Sequence, residues 1–452
     1  LNCKTFKDYH DIYLKCDVLL LADIIENLRT DLYNLYGLDI LQYITMPSFT
    51  WDAALKYSKT TIELLENVDM FNMIKKGMRG GVSYTNLRYA KANNKYCKDF
   101  NNEIPQSYIL YLDMNNLYGK ALMEKLPVSN FEFIDPKKFN QNIIFNYDLE
   151  NDDYGYILEV DLSYQKKYHD YFNDYPPCVS HYCPDEEKDL SDYQKNLLRV
   201  LNMKPSKVEK LVPSLLDKKY YTLHIQNLQQ AILLGVKLKN IHRIIKFKQE
   251  AIFKSYIENN TNQRKQAKND FQKNLYKLLN NSLFGKTMQD VFKCKDYEIV
   301  NNRYRLEKIQ RKYEVKNYFL INKDMVIVEK FKKNYVLDKP LIIGFSVLEL
   351  SKTYMLDFYY NYIIKNFGLE NVNLCYTDTD SLILYIKYQN DIFDKFKKDS
   401  FYFDLSEYKK THPRYDIFNK DNAKIPKKMK DEAADGIITE FIALRSKSYC
   451  FT

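Results

Sequence analysis

Three aspartates carry the chemistry this sequence can do. Asp113 ends the β-rich run Ser107-Tyr-Ile-Leu-Tyr-Leu-Asp113, while Asp378 and Asp380 sit together in Tyr376-Thr-Asp-Thr-Asp-Ser381. Carboxylates gathered within a few ångströms repel one another unless cations lie between them or protons are taken up. Hard oxygen donors suit magnesium, and two such ions about 3.5 to 4 Å apart can clamp the attacking and leaving oxygens of a phosphoryl transfer. Alone, Asp378-Thr379-Asp380 reads first as a polar turn; the residues that accompany it change that reading.

Those residues are Lys273, Lys277 and Asn281, spaced four apart and therefore on one face of a helix. Stacked ammonium groups suit triphosphate oxygens as point charges, and a solvated helix face is the plain alternative. Ser282 and Gly285 interrupt the apolar pattern of the same helix with small residues, as close approach of a planar base pair would require.

Positioning these groups needs a strand before Asp113, a helix over Asn115 to Lys125, and a hairpin over Asn373 to Tyr385 with the acids at its tip. Apolar spacing predicts further helices over Asp17–Tyr36, Trp51–Leu65 and Ser346–Asn366, and a helix or helical pair over Asn262–Met288. Gly77-Met-Arg-Gly-Gly81 holds three of the eleven glycines and marks a tight turn and a boundary. The stretch from Asp135 to Pro213 holds half of the twelve prolines and reads as a loop-rich insertion or subdomain.

The chain has 452 residues, enough for two to four lobes, and 45% hydrophobic residues against only 11 Gly and 12 Pro, which excludes disordered and collagen-like classes. Its net charge of +9 permits a polyanionic partner without requiring one. The 41 tyrosines interleaved with lysines suit a stacking surface, although tyrosines commonly pack with only the hydroxyl exposed. Eight scattered cysteines suit reduced thiols in an intracellular protein, and Cys178, His181 and Cys183 lack a fourth zinc ligand and read as loop residues. No apolar run reaches the length of a membrane span, and the start at Leu1 is read as an internal one, making the chain a fragment.

Taken together, the residues resemble family B DNA polymerases. Asp113-Met-Asn-Asn-Leu-Tyr118 is similar to motif A, Lys277 to Gly285 to motif B, and Tyr376 to Ser381 to motif C, in that order. Lys447-Ser-Tyr449 resembles the Lys-x-Tyr primer-contacting motif, and Met78-Arg-Gly-Gly81 the Tyr-x-Gly-Gly linking motif. Tyr220-Tyr-Thr-Leu-His224, Ile241-His-Arg243 and Lys430-Asp-Glu432 resemble the protein-primed branch, meaning Polinton/Maverick-like and related viral or organellar type B polymerases.

The resemblance implies an α/β (α+β) fold: a palm with an antiparallel sheet, helical fingers, and truncated exonuclease and thumb. Residues 1–76 would be an exonuclease remnant and linker, 77–134 the first part of the palm, 135–250 an insertion region and palm, 251–300 the fingers, and 301–452 palm with motif C and the primer-contacting motif. It implies a DNA-directed DNA polymerase using two Mg2+ ions, with Mn2+ as the alternative. Its partners would be a DNA template-primer, deoxynucleoside triphosphates and a terminal protein primer, with no membrane. Asp113, Asp378, Asp380 and the Met114 carbonyl would hold metal. Met114, Asn115, Asn116, Leu117, Tyr118, Arg264, Lys265, Lys273, Lys277 and Asn281 would contact the nucleotide, with Tyr118 as a steric gate and Lys277 also donating a proton to pyrophosphate. Arg79, Gly80, Gly81, Ser282, Gly285, Tyr376, Thr379, Lys447 and Tyr449 would contact DNA.

Four positions depart from the family pattern: Asn116 replaces Ser, Gly119 Pro, Phe284 Tyr and Met78 Tyr; none removes a metal ligand. Tyr13-Leu-Lys-Cys-Asp17 resembles the third exonuclease motif without its two companions, so no proofreading by this stretch is expected, Tyr13 and Asp17 otherwise being ordinary helix-start residues. Little thumb follows Tyr449, and weak processivity is expected. The resemblance places the work in replication of a viral or transposable element, in the nucleus or at a viral replication site. An inactive DNA-binding remnant of an integrated element is the alternative.

Overall fold

The computed structural model describes residues 3–452. At its centre lies a six-stranded sheet in the order Ser83–Thr85, Val372–Asp378, Ser381–Lys387, Ser107–Met114, Met429–Asp431, Phe403–Asp404. All neighbours are antiparallel except the last pair. Strand Ser107–Met114 is apolar nearly throughout because both its faces are covered. The two-residue side-chain period sends Tyr108, Leu110, Leu112 and Met114 into the main core, together with Leu382 and Leu384 of the neighbouring strand. Ile109 and Ile383 face the other way, onto Ala90, Phe441 and Ala443 of a small sheet formed by Tyr89–Lys91, Glu440–Arg445 and Ser448–Phe451. Asp113 keeps that period and lies on the side of Ile109 and Tyr111.

The helix Leu341–Asp357 continues through a π-helical stretch, Phe358–Ile364, to Phe367, and packs Phe358, Tyr359 and Ile363 beneath the central sheet. A second sheet, ordered Leu126–Ile134, Val236–Glu250, Tyr154–Tyr164, Lys218–His224, shares this core. A separate cluster ties the helix pair Lys254–Gln266 and Asp270–Thr287 to helix Met46–Ser58 through Phe49, Trp51, Tyr256, Leu279 and Leu283. Between the pair and the long helix, Asp296–Val300, Met325–Lys330 and Val315–Asn322 form a three-stranded sheet around Val300, Ile309 and Val328.

The expected strand and hairpin lie where the sequence puts them, and several boundaries move. The first helix runs Phe6–Tyr36, starting eleven residues before the expected Asp17 because Thr5 and Asp8 form a capping box there, and Tyr13 and Asp17 are exposed inside it rather than at its start. The helix expected over Trp51–Leu65 is Met46–Ser58: Pro47 suits its first turn, and Lys59, left-handed at φ 51°, ends it. Asn262–Met288 is a pair, broken where Asn269 caps the second helix by accepting Gln272 N–H. The Asp135–Pro213 stretch is less loop-rich than expected, since Tyr154–Tyr164 is an eleven-residue, mostly buried strand. Among the described residues no helix is long and apolar enough to cross a membrane.

Candidate active site

Sheet register brings the acids together. Asp113 lies opposite Ser381, and Ser381 opposite Asp378, so three adjacent strands deliver residues 265 positions apart in the chain. The turn is tight: Thr379 is left-handed at φ 60°, Asp380 N–H donates to the Asp378 carbonyl at 2.7 Å, and Met114 N–H donates to the Asp380 carbonyl at 2.7 Å. Burial pushes the Asp113 carboxyl up to about 7, with Asp380 and Glu432 adding repulsion and Lys430 and Lys277 opposing it. Asp380 is raised too, by burial first and by Asp378.

Asp378 is engaged differently. Tyr376 Oη donates to its Oδ2 at 3.1 Å and Lys447 Nζ stands 3.2 Å from the same oxygen. Among the described residues, no three His, Cys, Asp or Glu side chains stand close enough to enclose a metal ion as a group. The donor set nevertheless fits a hard divalent cation: oxygen ligands only, two of them partly buried and repelling, with a cation already drawn to the third.

The helix Asp270–Thr287 presents Lys277, Asn281 and Gly285 outward, and the Lys277 charge reaches both Asp113 and Asp380. Lys273 pairs with Asp270 at 3.0 Å. Arg264 is half-buried with its Nε unpartnered and its basicity lowered by burial, whereas Lys265 is exposed. A Cβ on Gly285 or Gly80 would meet nothing within 4 Å, so packing within the chain does not demand glycine at either place. Ser282 is buried.

Around motif A, Tyr118 stacks on Phe284 at 4.2 Å with the rings 15° from parallel. Asn116 is left-handed at φ 47°, and its side chain occupies the space a Cβ on Gly119 would take. Two departures from the family pattern are thus one packing solution. Asn115 turns into the protein, its Nδ2 donating to Asp404 Oδ2 at 2.7 Å and its N–H to the Lys428 carbonyl at 2.9 Å, and the Leu117 side chain is buried.

Arg79 also departs from expectation. It is 7% exposed, with its guanidinium 3.5 Å over the Tyr221 ring and Nη1 donating to the carbonyls of Gly77 at 3.0 Å and Thr222 at 2.8 Å. It pins the linking segment from inside. Tyr376 is buried, with Tyr449 packed on it at 4.6 Å and Tyr449 Oη 3.1 Å from Tyr111 Oη, while Lys447 is largely exposed.

Sequence reasoning did not single out Lys424 or assign a role to Glu432. Glu432 sits two residues past Lys430, the strand partner of Asp113, and its charge reaches both Asp113 and Asp380. Lys424 lies in an irregular loop that carries no periodic signal; its charge meets those of Arg264 and Lys273.

Comparison with known proteins agrees with this geometry. The sequence model of the family "DNA polymerase type B, organellar and viral" matches residues 2–363. No curated protein matches the chain. Among solved structures, a Phi29 DNA polymerase complexed with primer-template DNA superposes with a TM-score of 0.54 at 15% identity, over 99% of this chain and 60% of that one. A ternary complex of the same polymerase with primer-template DNA and incoming nucleotide gives 0.51 at 14%, over 90% and 55%. The chain therefore spans somewhat over half the length of these proteins, and at such identity the likeness establishes the fold. With four-fifths of its length matched by the family's sequence model, the chain belongs to the type B DNA polymerases of organelles and viruses.

Proposed function

We infer that the chain performs template-directed addition of deoxynucleotides to a DNA primer 3′-hydroxyl, in a protein-primed replication system of a viral or transposable element. The observation that carries this reading is the convergence of Asp113, Asp378 and Asp380 on neighbouring strands with the Lys277 charge above them. Asp113 and Asp378, with the Met114 carbonyl and Asp380 in support, would hold two Mg2+ ions. When bound, these supply charge neutralisation and activation of the attacking oxygen.

The chain's own residues do the rest by positioning. Lys277, Lys273 and Arg264 would neutralise the triphosphate, and Lys277, one turn from Asn281, would hold a proton for departing pyrophosphate. The Tyr118 ring, braced by Phe284, would stand under the sugar and exclude a 2′-hydroxyl. Lys447 and Tyr449, beside Asp378, would seat the primer end, Lys447 exchanging its pairing with Asp378 for a primer phosphate.

Primer extension on a DNA template with Mg2+ tests the reading. The parent should extend and Asp378→Ala should not; equal extension by both would remove the ligand assignment. A parent that binds DNA and never extends would favour the inactive-remnant alternative, and preference for an RNA template would overturn the DNA-directed reading.

A further inference from the structure

The glycine-rich segment that leads into the central sheet touches the acid-bearing turn directly. Gly81 faces Thr379, the residue between Asp378 and Asp380. A Cβ built on Gly81 would lie 2.7 Å from Thr379 Cγ2 and 2.9 Å from Thr379 Cβ, and closer still to its Oγ1. Rotating the threonine side chain moves Oγ1 and Cγ2 but leaves its Cβ in place. The main chain cannot retreat freely either, because Thr379 N–H donates to the carbonyl of Val82, the residue after Gly81, at 2.8 Å. Thr379 Oγ1, the atom nearest that space, also lies 3.4 Å from Asp378 Oδ1.

One residue further on, Ser83 is the strand partner of Asp378, and its Oγ lies 3.1 Å from Tyr376 Oη, which in turn donates to Asp378 Oδ2. The segment therefore reaches both carboxylate oxygens of Asp378, through Thr379 on one side and through Tyr376 on the other. Gly80, its neighbour, has open space where a Cβ would go, so the demand for glycine is specific to position 81.

We propose that Gly81 is a positioning residue for the candidate metal site: its missing side chain seats Thr379 and thereby fixes the Asp378–Asp380 turn. This gives Gly81 a different task from contacting DNA, and it rests on the reading of Asp113 and Asp378 as metal ligands. Supporting partners of ligands typically govern metal affinity by 10- to 100-fold.

Mn2+ binding to the DNA-free chain, followed by loss of the free-ion electron paramagnetic resonance signal, reads this without catalysis. Asp378→Ala should abolish binding. Gly81→Ala should weaken it about tenfold or more, and Thr379→Gly, which clears the space and suits a positive φ, should restore most of the affinity when combined with Gly81→Ala. Far-UV circular dichroism follows folding in parallel. If Gly81→Ala is unfolded, recovery of both fold and affinity in the double variant supports the contact equally. Equal binding by Gly81→Ala and parent, or a double variant no better than Gly81→Ala, overturns the proposal while leaving the metal reading intact. A parent that binds no Mn2+, or binds it equally after Asp378→Ala, overturns the metal reading and this proposal with it.

Discussion

Replacing Arg79 separates a structural role from a DNA-contacting one. In Arg79→Met the carbonyls of Gly77 and Thr222 lose their donor and Tyr221 loses the cation over its ring. Each unsatisfied buried carbonyl costs about 1 to 3 kcal/mol, and a desolvated cation–π contact about 2 kcal/mol. Against this, removing a buried cation close to Lys352, whose ammonium donates to the Arg79 carbonyl at 3.0 Å, relieves repulsion and desolvation. A net loss of about 3 kcal/mol follows, read as a lower urea midpoint with an unchanged m-value. Arg79→Lys keeps the charge without the planar group and should fall between parent and Met. With its guanidinium buried on Tyr221 and on the Gly77 and Thr222 carbonyls, Arg79 is not expected to contact a phosphate, and the slope of log K against log salt for primer-template binding should stay at the parent's value. A slope reduced by about one, the mark of one lost phosphate contact, with an unchanged urea midpoint, would refute the reasoning.

Tyr118→Ala should raise ribonucleotide incorporation about tenfold or more relative to deoxynucleotide in competition extension; unchanged discrimination would discard the gate. Gly119→Ala should cost about 1 to 3 kcal/mol in urea unfolding because its methyl enters the space of the Asn116 side chain, and Asn116→Ser should recover most of it; additive losses would sever the two positions. Burial raises the Asp431 carboxyl from 3.8 to about 6, opposed by the Ala433 N–H and the Tyr408 hydroxyl. Below pH 3.8 folded and unfolded chains both hold this proton; between 3.8 and 6 the unfolded chain releases it first, so folding stability falls as pH rises. Asp113 and Asp380 are raised in both chains and contribute equally, so across pH 4 to 7 the parent should lose up to roughly 3 kcal/mol more than Asp431→Asn, and parallel curves would refute this.

Local pattern was legible where burial imposes a period. Ser107–Met114 and the Asn373–Tyr385 hairpin announce themselves because apolar residues on both faces leave a β-rich run ending in acids. The helix of Lys277 is equally plain from Leu275, Leu279 and Leu283. Illegible were contacts made by polar residues across the chain. A charged Arg79 in a glycine-rich turn reads as a surface group, and only the fold supplies Tyr221 beneath it. Nothing near Asn115 in the sequence points to Asp404, which accepts from its side-chain amide. Gly81 reads as part of a tight turn, and the side chain it packs against belongs to Thr379, almost three hundred residues away. Boundaries slipped where caps decide them, since Thr5, Lys59 and Asn269 act through backbone hydrogen bonds and handedness rather than through hydrophobic period.

The central claim is that Asp113 and Asp378 share divalent ions. A crystal structure of the chain with primer-template DNA, an incoming nucleotide and a non-reactive divalent ion such as Ca2+ measures it directly. The account predicts oxygens of both aspartates on a common ion at about 2.3 to 2.6 Å, with Lys447 withdrawn from Asp378. An ion bound elsewhere, with Lys447 still on Asp378 and Asp113 touching no ion, would contradict it.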